Sequence, residues 1–412
     1  MKKNSFFILI LLLTHIFYNN AALIDNRFLP LFRPMFKRSC QRRSAGGSNV
    51  FFLIANQSLG NDGKEIGLPE VNGKYDLLKV AKSLEIIGKP NPLSTQFRIA
   101  SKLELDLEGK LEGQGAWLGY ECNFFNNFAL GFSFYVMHLS TRENFVIPDS
   151  LRQDLKLNRG SEIILEKELR ETNNLLGLNT FQFNKTGVSD LDLYLRFGVV
   201  RDYFYKFRKI DFGIDIGCLF PSGMATDINN PISIPFGGDG HFGFYGLMDL
   251  TLELKEDLSV GFWFEILQRL KKTQIKRMPV NNEPLQFGPI IGPACVNPGV
   301  TIGFSPFVSL DDIRDGFGFK VKYSLIFHGE DDWTDKRKDR TIATDLGSIV
   351  ELSEWSSEYF TFTLLYDFAK GATKPRKFAP IVYLEWDRPS SIFKGEQFAK
   401  TNRVSFGFEF SF

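Results

Sequence analysis

His138 and Ser140, two positions apart, are the nearest approach in this chain to a nucleophile with its base. An imidazole within hydrogen-bond reach can take the proton of a serine hydroxyl and leave an oxygen able to attack an ester. On a strand, two-residue spacing puts both side chains on one face, here the face of Phe132, Phe134 and Val136. The plainer reading is a polar strand end, and the sequence offers no third member. Gly238-Asp239-Gly240-His241-Phe242-Gly243 has the spacing of a dinucleotide-binding turn, but it opens a strand instead of leaving one for a helix. Glu330, Asp331, Asp332 and Asp335 are ligand types for a divalent cation. They lack EF-hand spacing and run into Lys336, Arg337 and Lys338, which reads as a solvated loop. The expectation is therefore no catalytic residue, no metal and no cofactor.

A larger set of charged residues recurs at every second position, opposite apolar ones. Leu191, Leu193, Leu195, Phe197 and Val199 oppose Asp190, Asp192, Tyr194 and Arg196. Ile210, Phe212, Ile214 and Ile216 oppose Asp211, Gly213 and Asp215, and the pattern returns at 242–253, 317–328 and 404–412. Successive strand side chains point to opposite faces, so each segment has one greasy face and one charged face. The runs are about 10–13 residues long, against about 5–6 for a globular strand and 9–11 for a tilted strand crossing a bilayer. A soluble β-sandwich also alternates, but with shorter strands and more even loops.

The links between segments alternate too. Short ones near 122–127, 201–208, 255–257, 311–316 and 369–377 alternate with long ones at 142–187, 221–240, 271–297, 329–357 and 388–402. Short turns on one side and long loops on the other are the habit of bacterial barrels. Counting 97–122 as one strand gives an odd total. A turn at Glu108-Gly109 restores the even number that brings both ends to one side, and the expectation is twelve strands.

Composition agrees. The 412 residues include 43 Phe, which must be buried or face lipid, while a mean hydropathy of −0.11 excludes a bundle of apolar helices. Lys plus Arg (49) against Asp plus Glu (48) gives no basic excess and no case for nucleic acid. Lys2 and Lys3, an apolar run from Phe6 to Phe17, then Ala21 and Ala22 read as an export signal over 1–22. Cys40, Cys122, Cys218 and Cys295 are scattered without metal spacing, and no disulfide framework is expected. Residues 23–63, with Arg27, Arg33, Lys37, Arg38, Arg42 and Arg43, read as a flexible basic segment. Residues 64–96 read as a plug or rim segment with one helix over 73–88, capped by Asp76 and ended by Gly88. A second helix is expected at 161–176 inside the longest loop, and 97–412 form the barrel.

The chain ends Val404-Ser405-Phe406-Gly407-Phe408-Glu409-Phe410-Ser411-Phe412. With the alternation over 97–412, this resembles Gram-negative outer-membrane β-barrel proteins, porin-like, with their terminal Phe. The resemblance implies an all-β fold, a transmembrane antiparallel barrel in the outer membrane. It also implies outer-membrane lipid as surroundings and recognition of Phe412 by the barrel-assembly machinery. The His138-x-Ser140 pair is similar to that of the outer-membrane phospholipase, also a twelve-stranded barrel. That family follows its Ser with Asn-Gly, where this chain has Thr141-Arg142.

In such a barrel the charged faces line the interior. The expected pore-lining acids are Glu104, Asp106, Glu112, Asp190, Asp192, Asp211, Asp215, Asp249, Glu253, Glu265, Asp367 and Glu385. The bases are Arg98, Lys102, Lys110, Arg196, Arg269, Lys320 and Lys322. Charge wasted against lipid suits a watery passage, so the expectation is passive or weakly selective passage of small polar solutes, with a mild cation preference. The alternatives are a lipid-active hydrolase at His138 and Ser140, and a closed barrel whose interior charges pair off and whose outer loops bind a partner.

Overall fold

Hydrocarbon offers no partner to a backbone amide, so strands can cross it only if every edge is paired. A computed structural model describes residues 26–29, 34, 44–125, 127–178, 180–203, 207–370, 379–393 and 395–411. The export segment 1–22, Cys40, Arg33, Lys37, Arg38, Arg42, Arg43 and Phe412 lie outside them. Twelve antiparallel strands close the barrel. They are β1 (Ala45–Ala55), β2 (Glu104–Phe125), β3 (Phe128–Val146), β4 (Leu191–Asp202), β5 (Lys209–Phe220) and β6 (Gly243–Lys255). β7 (Leu258–Arg269), β8 (Thr301–Arg314), β9 (Phe317–His328), β10 (Trp355–Asp367), β11 (Ala379–Ser390) and β12 (Asn402–Ser411) follow. Each pairs with its sequence neighbours, and β1 closes the ring by pairing with β2 on one side and β12 on the other.

The count matches the expectation, but by a different route. β1 lies in the segment expected to be flexible, where Phe51 and Leu53 point inward and Val50, Phe52 and Ile54 point outward. Glu108-Gly109 is not a turn. β2 is one strand of 22 residues, and Gly109 sits in register opposite Glu143 of β3. A side chain at Gly109 would meet the Pro69 ring at 2.8 Å, so glycine is there because the preceding segment crosses over it. The residues read as the start of a strand at 97 form instead the short helix Thr95–Arg98.

β2 and β3 overshoot the end of β1, and along the overshoot of β2 the inward positions are apolar and the outward ones charged. Asp106, Lys110 and Glu112 point out and are exposed, whereas Leu105, Leu107 and Leu111 are buried inside. Leu105 and Leu107 meet α1 (Leu77–Ile86) and α2 (Arg159–Leu176), forming with Leu84, Leu165, Leu169 and Phe287 an apolar cap over the long-loop end, while Leu111 packs lower, with Phe51 and Trp117. Asp76 caps α1 by accepting from the Leu78 amide at 2.9 Å, as its position required. The expected plug or periplasmic rim helix thus sits at the other end of the barrel. The reason is that β1 precedes it and carries the chain across.

Within the barrel, interior glycines accept neighbouring rings. The Tyr194 ring lies against Gly131, and its hydroxyl donates to Glu121 at 3.2 Å; Tyr245 lies against Gly217 in the same way. A Cβ at Gly131 would stand 2.1 Å from the Tyr194 ring. Gly131→Val is expected to cost about 1–3 kcal/mol by overpacking, measured as a lowered heat-unfolding midpoint in detergent, with Gly131→Ala intermediate.

In the overshoot, beyond the apolar band, Glu143 is buried with neither carboxylate oxygen paired. Burial pushes its pKa up to about 8. A carboxyl protonated in the fold and ionised when unfolded takes up a proton on folding. Stability is then greatest below its unfolded pKa and falls as pH rises, by about 1.4 kcal/mol per unit, levelling off above about 8. Glu143→Gln should flatten this slope between about pH 5 and 8, read by limited proteolysis of the loop-side cap; an unchanged slope would locate the proton elsewhere.

Candidate functional site

The barrel interior is where charge is tolerated, because the outer face of the same strands meets lipid. Phe132, Leu195, Ile216, Phe244, Val308 and Phe406 are exposed on the outside, while the residues between them turn in and are mostly buried. Asp192, Arg196, Asp215, Asp249, Glu265, Lys322 and Asp367 are buried there, as are Asp190 just ahead of β4 and Arg269 at the end of β7. Asp211, Glu253, Lys320 and Glu385 are inside and partly buried.

Six expected lining residues are elsewhere. Asp106, Lys110 and Glu112 face outward on the overshoot, and Lys110 pairs with Glu112 at 2.5 Å. Lys102 is exposed and pairs with Glu104 at 2.6 Å. Arg98 holds the carbonyls of Leu93 and Asn91. The greasy face of a strand turns outward only where lipid is outside; above the bilayer it turns in to the helical cap.

The interior charges are not free-standing. Arg196 bridges Asp215 at 2.7 Å and both oxygens of Asp249, tying β4, β5 and β6 together. Asp192 accepts from Tyr245 at 2.5 Å and Ser133 at 3.1 Å. Arg403 reaches Glu385 and Asp387, linking β12 to β11. The Lys320 ammonium sits 4.5 Å from the Trp263 ring centre and 4.1 Å from that of Phe307. Buried charge is stable only when paired and hydrogen-bonded, and this network meets that requirement across the lumen wall.

Long loops fold into the mouth. Asp190 accepts from the Gly223 and Gly238 amides and from Arg269, pinning residues 221–242 against the barrel; the glycines are needed because a Cβ at either would collide with Asp190 or Arg269. Ile232, Ile234 and Phe236 then join Phe51, Trp117 and Tyr135 in an apolar cluster that also takes in Leu29. The chain at 26–29 is held here. The Ala399 amide donates to the Arg27 carbonyl, and the Arg27 guanidinium donates to the carbonyls of Val71, Leu352 and Ser353.

Two cavities lie beneath these loops. One, about 300 Å³, is lined by Arg27, Asp239, His241, Lys276, Arg277, Gln286, His328, Asp331, Trp333 and Trp355 among others. The second, about 270 Å³, includes Lys74, Asp76, Glu104 and Glu283, and shares Arg27, Asp331 and Trp333 with the first. Lys276, Gln286 and Trp333 stand on or beside the small sheet Lys272–Met278, Ile290–Asn297 and Asp332–Asp335. Burial works to raise the Asp239 carboxyl, but the ion pair with Lys276 overrides it and holds it below the usual range. His241 is lowered by its burial.

The other sequence motifs take ordinary places. The His138 ring pairs with Thr186 at 2.8 Å on the outer face, on which Ser140 also lies. The glycine motif at 238–243 turns through Asp239 and Gly240, both with positive φ, into β6. Asp331 pairs with His328 and Asp335 with Arg337, and among the described residues no group of three candidate ligands could hold a metal. Cys122, Cys218 and Cys295 are free thiols. Arg403 and Asp387 were missed, although strand parity could have found them: Arg403 shares the face of Ser405 and Gly407. Arg27, Arg277 and Trp333 carry no period, and nothing in the sequence marked them.

A closed twelve-stranded antiparallel barrel, apolar outside and polar within, is a transmembrane β-barrel of the Gram-negative outer-membrane type, and this chain forms one. No protein-family model matches the chain, and no curated protein matches it in sequence. Among solved structures it is similar to the COG4313 outer membrane channel from Pseudomonas putida F1, at 10% identity and a TM-score of 0.48, covering 92% of this chain and 97% of that one. It is also similar to a Pseudomonas aeruginosa FadL homologue, at 8% identity and a TM-score of 0.31, covering 96% and 93%. The P. putida toluene transporter TodX gives 10% identity and a TM-score of 0.25, with 96% and 93% covered. The likeness is one of architecture.

Removing the cation from the Arg196 network would strand two buried carboxylates. Arg196→Met is expected to cost about 3–5 kcal/mol, while replacing Arg196, Asp215 and Asp249 together by Met, Leu and Leu should restore most of it. Denaturant unfolding of the refolded barrel reads both; equal losses in the two variants would sink the pairing argument.

Proposed function

We propose that the chain is a narrow outer-membrane passage for small polar solutes, entered at the long-loop mouth, with a mild preference for cations in the lumen. One observation supports it above others: below the apolar clusters of the loop side, charge and hydroxyls occupy much of the inward face of β4 to β12. Filling a lumen with ion pairs is not the most stable way to close it, since apolar residues of the same volume do as well or better. A polar interior is understandable where water and solutes must pass. The cation preference rests on acids outnumbering bases on the inward face, with Asp192, Asp211, Asp215, Asp249, Glu265 and Asp367 among them against Arg196, Lys320 and Lys322. In this reading the chain is exported by residues 1–22, settles among outer-membrane lipid, and is delivered there by machinery that reads Phe412.

The loops at the mouth make the open path narrow, so small, discrete conductance steps are expected in a planar bilayer, with a cation-favouring reversal potential in a salt gradient. Arg27→Ala, which releases the carbonyls of Val71, Leu352 and Ser353, should raise the open probability several-fold. Silence from both the native chain and this variant, with folding verified by gel mobility, would overturn the passage reading and favour a closed barrel that acts through its loops.

A further inference from the structure

The larger loop-side cavity has more hydrogen-bond donors than the protein itself satisfies. Arg27 and Arg277 both line it, and neither forms an ion pair. Arg27 donates only to the carbonyls of Val71, Leu352 and Ser353, and Arg277 only to those of Ile228, Gly288 and Leu176. Asp331 acts on Arg27 without pairing with it, and Arg277 is buried with no carboxylate beside it among the described residues; a buried cation is costly unless something supplies the negative charge. Burial lowers the Arg27 guanidinium to about 10 against the pull of Asp331, and burial lowers Arg277 as well.

Two neutral donors point the same way. The Trp333 indole N–H and the Gln286 amide nitrogen are buried without a partner, and both residues line the cavity. An indole nitrogen can only donate, so its missing partner must be an acceptor. The acids on the walls are already engaged or outside. Asp239 is paired with Lys276, Asp331 accepts from His328 and the Gly299 amide, and Asp227 is exposed. The histidines are engaged as well, His241 with the Leu270 carbonyl and His328 with Thr301 and Asp331. Phe28, Leu285, Trp333 and Trp355 supply apolar wall. A volume of about 300 Å³ is at the lower end of small-molecule sites.

We propose that this cavity binds a small organic acid, its carboxylate received by Arg27, Arg277 and the Trp333 indole, and its apolar body laid along the aromatic wall. The site stands at the mouth, above a lumen richer in acids, so a bound carboxylate is retained there and not drawn through. It goes beyond the passage reading and does not need it to hold.

The test is calorimetric titration of the refolded full chain in detergent with benzoate, its neutral isostere benzamide, and benzylamine. Benzoate is expected to bind one to one, with benzamide at least about tenfold weaker and benzylamine not binding. Trp333→Phe keeps the ring and removes the donor, and should weaken benzoate about 10- to 100-fold, as loss of one hydrogen bond to a charged group does, while leaving benzamide less affected. Arg27→Gln should weaken benzoate more. Equal affinity for benzoate and benzamide would make the cavity merely apolar and overturn the carboxylate site, as would tighter binding of benzylamine. No benzoate binding alongside normal conductance would remove this proposal and leave the passage reading standing.

Discussion

One constraint governs the rest of this structure: a backbone amide in hydrocarbon must find its partner within the protein. A twelve-stranded sheet satisfies it only by returning to its own first strand, as β1 does between β2 and β12. Closure then dictates the side chains. Outward positions must be apolar because lipid is there, and inward positions are released from that demand. The abundance of Phe and the even balance of charges are two sides of the same division.

Released from lipid, the interior could have been oily or polar. It is mostly polar, but the polarity is organised. Arg196 draws one acid from β5 and one from β6, Arg403 of β12 draws two from β11, and Tyr245 and Ser133 hold Asp192. At the long-loop end the character changes, and leucines and rings from β2, α1 and α2 make a small core like that of a soluble protein. Between these two regimes lie the cavities, where loop residues and barrel residues meet without filling the space.

What the sequence carried was the part governed by period. Strands β4 to β12, their facing, the alternation of short and long links and both longer helices follow from spacing two and spacing three to four. Where the environment changes partway along a strand, period alone misleads. Along β2 the odd positions face inward throughout, Leu105 and Leu107 into the cap and Glu121 into the lumen, while the outward positions change from charged (Asp106, Lys110, Glu112) to apolar (Leu118), and the assignment of Asp106, Lys110 and Glu112 to the lumen failed for that reason. β1 escaped notice because Gly46 and Gly47 dilute its pattern and a basic stretch precedes it. The cavity residues were illegible because loops bring them together from positions as far apart as Arg27, Arg277 and Trp333.

The strand pair that seals the barrel joins the first strand to the last, with Ala45 opposite Ser411 and Ile54 opposite Asn402. Every other seam joins strands consecutive in the chain and can form as soon as both have been made. This one cannot be tried until β12 has been made, so a sheet grown as far as β11 carries two raw edges. Until that seam forms, both edges are open to pairing with other strands.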